Sequence, residues 1–267
     1  MSFITRYRKG GSLAPICLQL GLLLSLASAC RAPEEEGRVV SDQQAAQGLV
    51  AQADAMYAAR RDLVRIKQGI ITLQRALAAD YKNYDAAWRL AKFNYYLGSH
   101  TKEQSERDAA FRDGIEAGKL AVRLQNDKPD GHFWLGANYG GSAQTGVLAG
   151  LSAIEDIRRE METVIRLDKN YQGASAYLVL GQVYLEAPRM FGGDVGRAVE
   201  LLEEGVKLEK ENAPLRVQLA RAYLAAKRGD DARRQLNYIF SMKPDENYLP
   251  EYDEAVAEAR ELMDKIK

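Results

Sequence analysis

The sequence predicts an all-α fold, an α-solenoid of about five helix pairs that ends in a C-terminal capping helix. Three observations support this prediction. Apolar residues make up 46% of the chain but aromatic residues only 8%, a balance typical of helical proteins rich in Ala and Leu. A short motif of leucine, a small residue and a tyrosine recurs along the chain. An apolar stripe with helical spacing follows each copy.

The motif is L-G/A-x-x-Y. Its copies are Leu135-Gly136 with Tyr139, Leu180-Gly181 with Tyr184, Leu219-Ala220 with Tyr223 and, more weakly, Leu90-Ala91 with Tyr95. A small residue lets two helices approach closely, and the leucine and tyrosine fill the space between them. Two antiparallel helices with this pattern in each unit of about 34 residues are the tetratricopeptide repeat.

The solenoid is predicted to span residues 41–267 as one domain. A first unit covers about 42–60 and 63–80, and 75–90 ends that unit and opens the next. Pro244 follows Leu219 by 25 residues, the distance at which the repeat places its terminating proline. The charged segment 248–267 is predicted to be the final helix, because a terminal unit needs a polar outer face.

Three spacings exceed the usual repeat. Successive motif leucines are 45, 45 and 39 residues apart. We expect most of the extra residues at the turns within pairs, in 97–107, 140–150 and 187–194. The charged first segment is equally consistent with longer helices, whereas the two glycine-rich segments are predicted to be loops.

The third of these segments, 187–194, contains the candidate edge-loop residues. Gly192 and Gly193 permit positive φ, and Asp194 is a suitable N-cap for the next helix. For Phe191, a plug that packs the loop is favoured over a ligand contact.

The first residues predict export and a lipid anchor. Basic residues followed by an uncharged apolar run make residues 1–29 a secretory signal, and "LASAC" ends at Cys30 like the lipobox of bacterial lipoproteins. An uncleaved signal-anchor is the alternative. Cys30 is the predicted lipidation site, and the polar residues 30–40 are the predicted tether. Arg31 after the cysteine favours the outer membrane over the inner one.

Other functional classes find little support in the sequence. Formal net charge is zero, so nucleic acid is not an expected partner. "GGSAQTG" lacks the lysine of a phosphate-binding loop. His100 and His132 are the only histidines and have no metal-ligand spacing, so we expect no metal, no cofactor and no catalytic site. The charged run 155–162 is predicted to be a solvated helix face.

Several stretches resemble one family. "HFWLGANYG", "IRREMETVIRLDKNYQGASAYLVLGQVYLEAPRMFGGD" and "AVELLEEGVKL" are similar to the T component of TRAP transporters. The resemblance implies a membrane-held tetratricopeptide lipoprotein of the bacterial envelope, facing the periplasm. It also implies docking of a periplasmic solute-binding protein, binding or passage of a small-molecule ligand, and a homotrimer. The alternative is a general envelope scaffold for protein–protein interaction without a transport role.

A ligand or partner groove is predicted on the concave face, which the first helix of each pair lines in such repeats. With the motif leucine at position seven, positions two, five, nine, twelve and thirteen face the groove. The residues selected are Trp88, Lys92, Tyr95, Tyr96, Asp130, Phe133, Gln182, Glu186 and Arg221. Aromatic side chains beside a few polar groups suit a ligand or peptide groove, and packing between helices is the alternative.

Overall fold

The computed structural model describes residues 42–143 and 147–266, with the backbone alone at 147–150 and 247. The predicted signal, the tether and Cys30 lie outside the described residues. Within that range every regular element is helical. The helices are α1 (Gln43–Ala58), α2 (Leu63–Ala79), α3 (Tyr84–His100), α4 (Gln104–Leu124), α5 (Pro129–Ala143), α6 (Val147–Leu167), α7 (Tyr171–Glu186), α8 (Val195–Leu208), α9 (Ala213–Ala225), α10 (Gly229–Ser241) and α11 (Leu249–Lys265). Five successive pairs and a last helix confirm the predicted all-α tetratricopeptide solenoid.

Short polar side chains set where many helices begin. Asp42, Asp62, Asn83, Asp194 and Asn212 each accept a hydrogen bond from a backbone N–H in the first turn of the helix that follows. Such N-caps satisfy amides that have no partner within the helix. The capping role predicted for Asp194 is therefore confirmed.

The repeated motif forms the seams between helices. All four motif leucines are buried, with exposed fractions from 1% at Leu219 to 9% at Leu90. A Cβ added to Gly136 would lie 2.4 Å from the Met161 side chain in α6. Only a residue without a side chain leaves room for the facing helix there, as the sequence predicted.

The extra residues of the second and third pairs lie mostly in longer helices. α4 and α6 each contain 21 residues. α5 continues to Ala143 and α6 begins at Val147, so the expectation of a long loop over 140–150 is wrong. Glycine in a helix interior costs only about 1 kcal/mol relative to alanine, and tertiary packing overrides that preference.

The third segment is a loop, as predicted. A short 3₁₀ turn, Arg189–Phe191, lies between α7 and α8. Gly192 has φ +84°, in the left-handed region. Gly193 does not share that conformation, and the expectation of positive φ there is wrong. Gly193 is needed for a different reason, because a Cβ there would lie 1.8 Å from the carbonyl oxygen of Ala187.

A left-handed turn begins α7. Gln172, Gly173 and Ala174 have φ of +48°, +63° and +59°. This conformation costs about 1–2 kcal/mol for each residue with a side chain. Asn212 Nδ2 donates to the carbonyl oxygen of Gly173 at 2.7 Å, and Ser175 Oγ donates to that of Gln172 at 2.6 Å. Asn212, which caps the first helix of the fifth pair, therefore holds the turn between the third and fourth pairs.

Candidate functional site

Three of the predicted groove residues lie together on α3. Lys92 Nζ lies 3.8 Å from the centre of the Tyr57 ring of α1 and 5.7 Å from that of Trp134 of α5. Tyr95 packs against Trp134 with ring centres 5.7 Å apart, and Tyr96 packs edge-on to Tyr57. We call Tyr57, Lys92, Tyr95, Tyr96 and Trp134 the Lys92 cluster. The cluster places one amine among the aromatic rings of the first three pairs.

The electrostatics of the cluster are unfavourable for a charged amine. The pKa of Lys92 is lowered to about 8, chiefly by burial, and the neighbouring guanidinium groups of Arg60 and Arg89 also lower it, while Asp54 and Glu251 act in the opposite direction. Within the described part of the chain Lys92 makes no ion pair. A partly desolvated cation against aromatic faces is a feature that ligand sites use, which makes Lys92 a candidate binding group.

We expect Lys92→Met to stabilise the protein by about 2 kcal/mol at neutral pH, because it removes a charge that folding desolvates. The pKa of Lys92 is lower in the folded state than in the unfolded state. The unfolded chain therefore binds more protons above about pH 8, and wild-type stability rises with pH there. The gain from the substitution should shrink from about pH 8 to pH 10. Chemical unfolding at several pH values measures this change in the free energy of unfolding. Lys207→Met is the control, because Lys207 is exposed on α8.

The other groove candidates lie elsewhere. Asp130 accepts hydrogen bonds from the hydroxyls of Tyr84 at 3.1 Å and Tyr171 at 2.9 Å, so it links the starts of three first helices. Phe133 is buried against Tyr171. Trp88 Nε1 donates to Asp85 within α3.

Two groove candidates pair with each other. Gln182 Nε2 donates to Glu186 Oε1 at 3.0 Å along α7, and Glu186 is exposed. Two clefts lie away from all nine candidates. One of about 270 Å³ lies between α6, α7 and α8, and a more open one of about 500 Å³ lies on α9 and α10. The groove assignment stays a prediction.

The last helix returns to the first pair. α11 packs on α9 and α10 through Ala255, Ala259 and Leu262. Its first turn is held by Arg60, whose Nε and Nη2 donate to the two carboxylate oxygens of Glu251 at 2.9 and 2.6 Å. This paired contact lies beside the Lys92 cluster, and the Arg60 guanidinium also lies 5.1 Å from the Tyr57 ring centre.

Three further contacts fix α11. Arg61 pairs with Asp253, and His100 Nε2 lies 3.1 Å from Glu254 Oε1. Arg221, the last groove candidate, pairs with Glu258 Oε1 at 2.5 Å. The sequence predicted a polar capping helix but not that its acidic residues contact the first two pairs. Nothing local signals a pairing between residues so distant in the chain, so pattern analysis could not have found it.

Arg60→Met should release the first turn of α11. The Arg60 side chain is 7% exposed and its partner is one-third exposed, so we expect a loss of about 1–2 kcal/mol. Amide hydrogen exchange should accelerate in 250–256 and stay unchanged in α9. Arg112→Met is the control, because its pair with Asp113 is solvent-exposed and contributes little. Equal acceleration in both variants would contradict the bridge.

The α7–α8 loop is held by several hydrogen bonds and exposes apolar side chains. Arg158 Nη2 donates to the carbonyl oxygen of Gly192 at 2.8 Å, and its guanidinium stacks over Tyr184 at 4.6 Å. The backbone N–H of Asp194 donates to the Tyr184 carbonyl oxygen at 2.8 Å. Met190 is 84% exposed and Phe191 38% exposed, so Phe191 is only partly the plug that was favoured. A fixed loop with an exposed methionine and phenylalanine is suited to docking.

One buried polar pair was missed by the sequence reasoning. Glu160 lies in the segment predicted to be a solvated face, yet it is 6% exposed, and that expectation is wrong for it. His132 Nδ1 lies 2.6 Å from Glu160 Oε2, and His132 Nε2 lies 2.9 Å from the Asn126 carbonyl oxygen. The sequence position of Glu160 gave one indication that it is buried. Glu160 directly precedes Met161, and Met161 faces Gly136.

The described residues contain no cluster of His, Cys, Asp and Glu that could hold a metal ion. In the same part of the chain, no helix is both long and apolar enough to cross a bilayer.

Comparisons with solved structures support the fold. The tetratricopeptide protein TTC0263 of Thermus thermophilus matches with a TM-score of 0.59 and 22% identity, over 80% of this chain and 100% of that chain. PilF of Pseudomonas aeruginosa matches with a TM-score of 0.54 and 17% identity, over 81% and 89%. The type IV pilus biogenesis factor PilW gives 0.54 and 16%, over 83% and 92%. At such identities the likeness shows the fold alone.

No curated protein matches the sequence significantly. The family model described as the TRAP transporter T-component matches residues 43–248, which includes all five helix pairs. That family is of a transport-associated, non-catalytic kind found with the bacterial envelope. The chain therefore belongs to the T-component family of TRAP transporters, as the resemblance indicated.

Proposed function

We propose that this protein is the lipid-anchored T component of a TRAP transporter and docks a periplasmic solute-binding subunit through its α7–α8 loop. The observation that supports docking is the fixed presentation of Met190 and Phe191, held by Arg158 and by the cap at Asp194. An anchor that is already ordered loses little conformational entropy on binding. The flanking Arg189 adds a cation beside the apolar pair.

The proposal assigns the ligand role to the Lys92 cluster. A partly desolvated amine and several aromatic rings offer a polar group and apolar surface to a small molecule. The first turn of α11 lies beside this cluster, because Glu251 accepts from Arg60 and acts electrostatically on Tyr57. Lipidation of Cys30, anchoring to the outer membrane with the solenoid in the periplasm, and a homotrimer belong to the same proposal.

The test is capture of the lipidated protein from its native envelope after mild crosslinking, with partners identified by mass spectrometry. We expect a periplasmic solute-binding protein in stoichiometric amount. Met190→Asp should weaken its capture about 30-fold, the loss typical of an interface anchor, while Lys243→Asp on the exposed α10–α11 segment should not. Recovery of envelope assembly factors alone would identify a general scaffold instead.

A further inference from the structure

The second helix of the first pair differs in charge from every other second helix. α4, α6, α8 and α10 each carry between two and four acidic residues. α2 carries none, and it has three basic residues, Arg65, Lys67 and Arg75. Lys67 pairs with Glu106 of α4, which leaves Arg65 and Arg75 without an acidic partner among the described residues. The outer surface of the first pair is therefore locally basic on a chain with no formal net charge.

This helix also exposes apolar side chains in a line. Val64 and Ile71 are 59% and 58% exposed, and they lie seven residues apart on one helix face. Gln68, Arg75 and Ala78 complete the stripe, and all three are exposed. We call Val64, Gln68, Ile71, Arg75 and Ala78 the α2 face. It combines two branched apolar side chains with basic residues at its edges.

The entry of the chain into the fold lies at one end of this face. The backbone N–H of Asp42 donates to the carbonyl oxygen of Ala79 at 3.0 Å, which fixes the start of α1 beside the end of α2. Tyr81 is 56% exposed there, and Lys82 Nζ lies 5.4 Å from its ring centre. Tyrosine beside a basic residue is typical of side chains at headgroup depth.

The length of chain between Cys30 and the start of α1 is short enough for the α2 face to reach the membrane. Cys30 and Asp42 are twelve residues apart, so a lipid on Cys30 keeps the end of α2 within about 40 Å of the bilayer. The stripe from Val64 to Ala78 is about 21 Å long at about 1.5 Å per residue. A tether of that reach allows the whole stripe to touch the membrane that holds the lipid.

We propose that the α2 face rests on the headgroups of an anionic lipid surface. This inference rests on the lipid anchor of the proposed function. The lipid holds the protein at the bilayer without setting which side faces it, and a basic apolar patch is attracted to an anionic surface and so orients the protein on it. Arg65 and Arg75 contact the lipid phosphates, and Val64 and Ile71 lie at the boundary with the acyl chains.

The test uses the full lipidated protein in vesicles of phosphatidylcholine with phosphatidylglycerol. A polarity-sensitive fluorophore is attached at Ile71→Cys and, as the matched control, at Glu116→Cys on the outer face of α4, where the side chain is 66% exposed. We expect lipid-borne nitroxide to quench the α2 label several-fold more than the α4 label. Arg65→Glu with Arg75→Glu should abolish that difference, since each basic residue near an anionic surface changes attachment about fivefold.

Equal quenching of the two labels would overturn the inference. The inference would also be overturned if the α2 label became shielded only after a solute-binding protein or a second copy of the chain was added. The α2 face would then be a protein interface. Loss of the protein from the vesicles would overturn the inference together with the lipid anchor. Docking of the solute-binding protein through Met190 can be measured separately in solution. A failure of the proposed docking is therefore distinguishable from a failure of the proposed membrane contact.

Discussion

Glu160→Ala should destabilise the protein by about 3–5 kcal/mol, the largest loss that we expect from removing a single polar side chain. The side chains of His132 and Glu160 are 10% and 8% exposed. Removing the carboxylate leaves the imidazole buried without its partner across the α5–α6 seam. The Asn126 carbonyl oxygen alone then bonds the ring and holds the loop before α5 less firmly.

Denaturant unfolding measures this loss, with two comparison variants. Glu160→Gln keeps the shape and one acceptor oxygen but no charge, and it should lose about half as much. Glu155→Ala removes an exposed acid from the same helix and should change stability by no more than about 0.5 kcal/mol. Similar losses for Glu155→Ala and Glu160→Ala would show that the pair contributes nothing specific.

The same pair gives stability a pH dependence. Burial lowers the pKa of His132, but hydrogen bonds to Glu160 and to the Asn126 carbonyl oxygen raise it more, and the net direction is upward. A histidine whose pKa is raised on folding contributes its full stabilisation below its unfolded pKa of about 6.5. That contribution is lost as pH rises through the higher folded pKa. We expect stability to fall over this range in the wild type and to fall less in His132→Gln, in which His100 keeps its own raised pKa.

The repeat and its seams could be predicted from the sequence because they depend on local patterns. Leu135 and Leu180 are buried, and Gly136 lies against Met161, as the motif requires. Capping residues such as Asp194 act within three residues of their own position. Periodicity and capping are both short-range, so a single sequence records them.

The site could be predicted only in part, for a physical reason. Lys92, Tyr95 and Tyr96 were selected by their position on α3, and the structure does bring them together. Their partners are not local. Trp134 comes from another pair, and α11 reaches back through Glu251. The helical continuation of α5 through its glycines was missed because intrinsic propensity favours a turn there, while packing of α5 decides otherwise.

Gly118→Leu should destabilise the protein by about 3 kcal/mol through overpacking. A Cβ at Gly118 in α4 would lie 2.9 Å from both Cα and Cβ of Leu135 in α5. The obstacle includes backbone, so no rotamer change relieves it, and the seam between the second and third pairs must open. Gly118→Ala should lose less, because alanine adds one carbon and favours the helix.

Gly48 provides the matched control. It lies in α1, is exposed, and an added Cβ would meet nothing within 4 Å. Gly48→Ala should therefore stabilise the protein by about 0.5–1 kcal/mol, because alanine restricts the unfolded chain more than glycine does. Thermal and denaturant unfolding of both alanine variants measure the two effects. Shifts of opposite sign confirm that Gly118 is required by the approach of two helices, whereas a gain at both positions means that α4 and α5 can separate without cost.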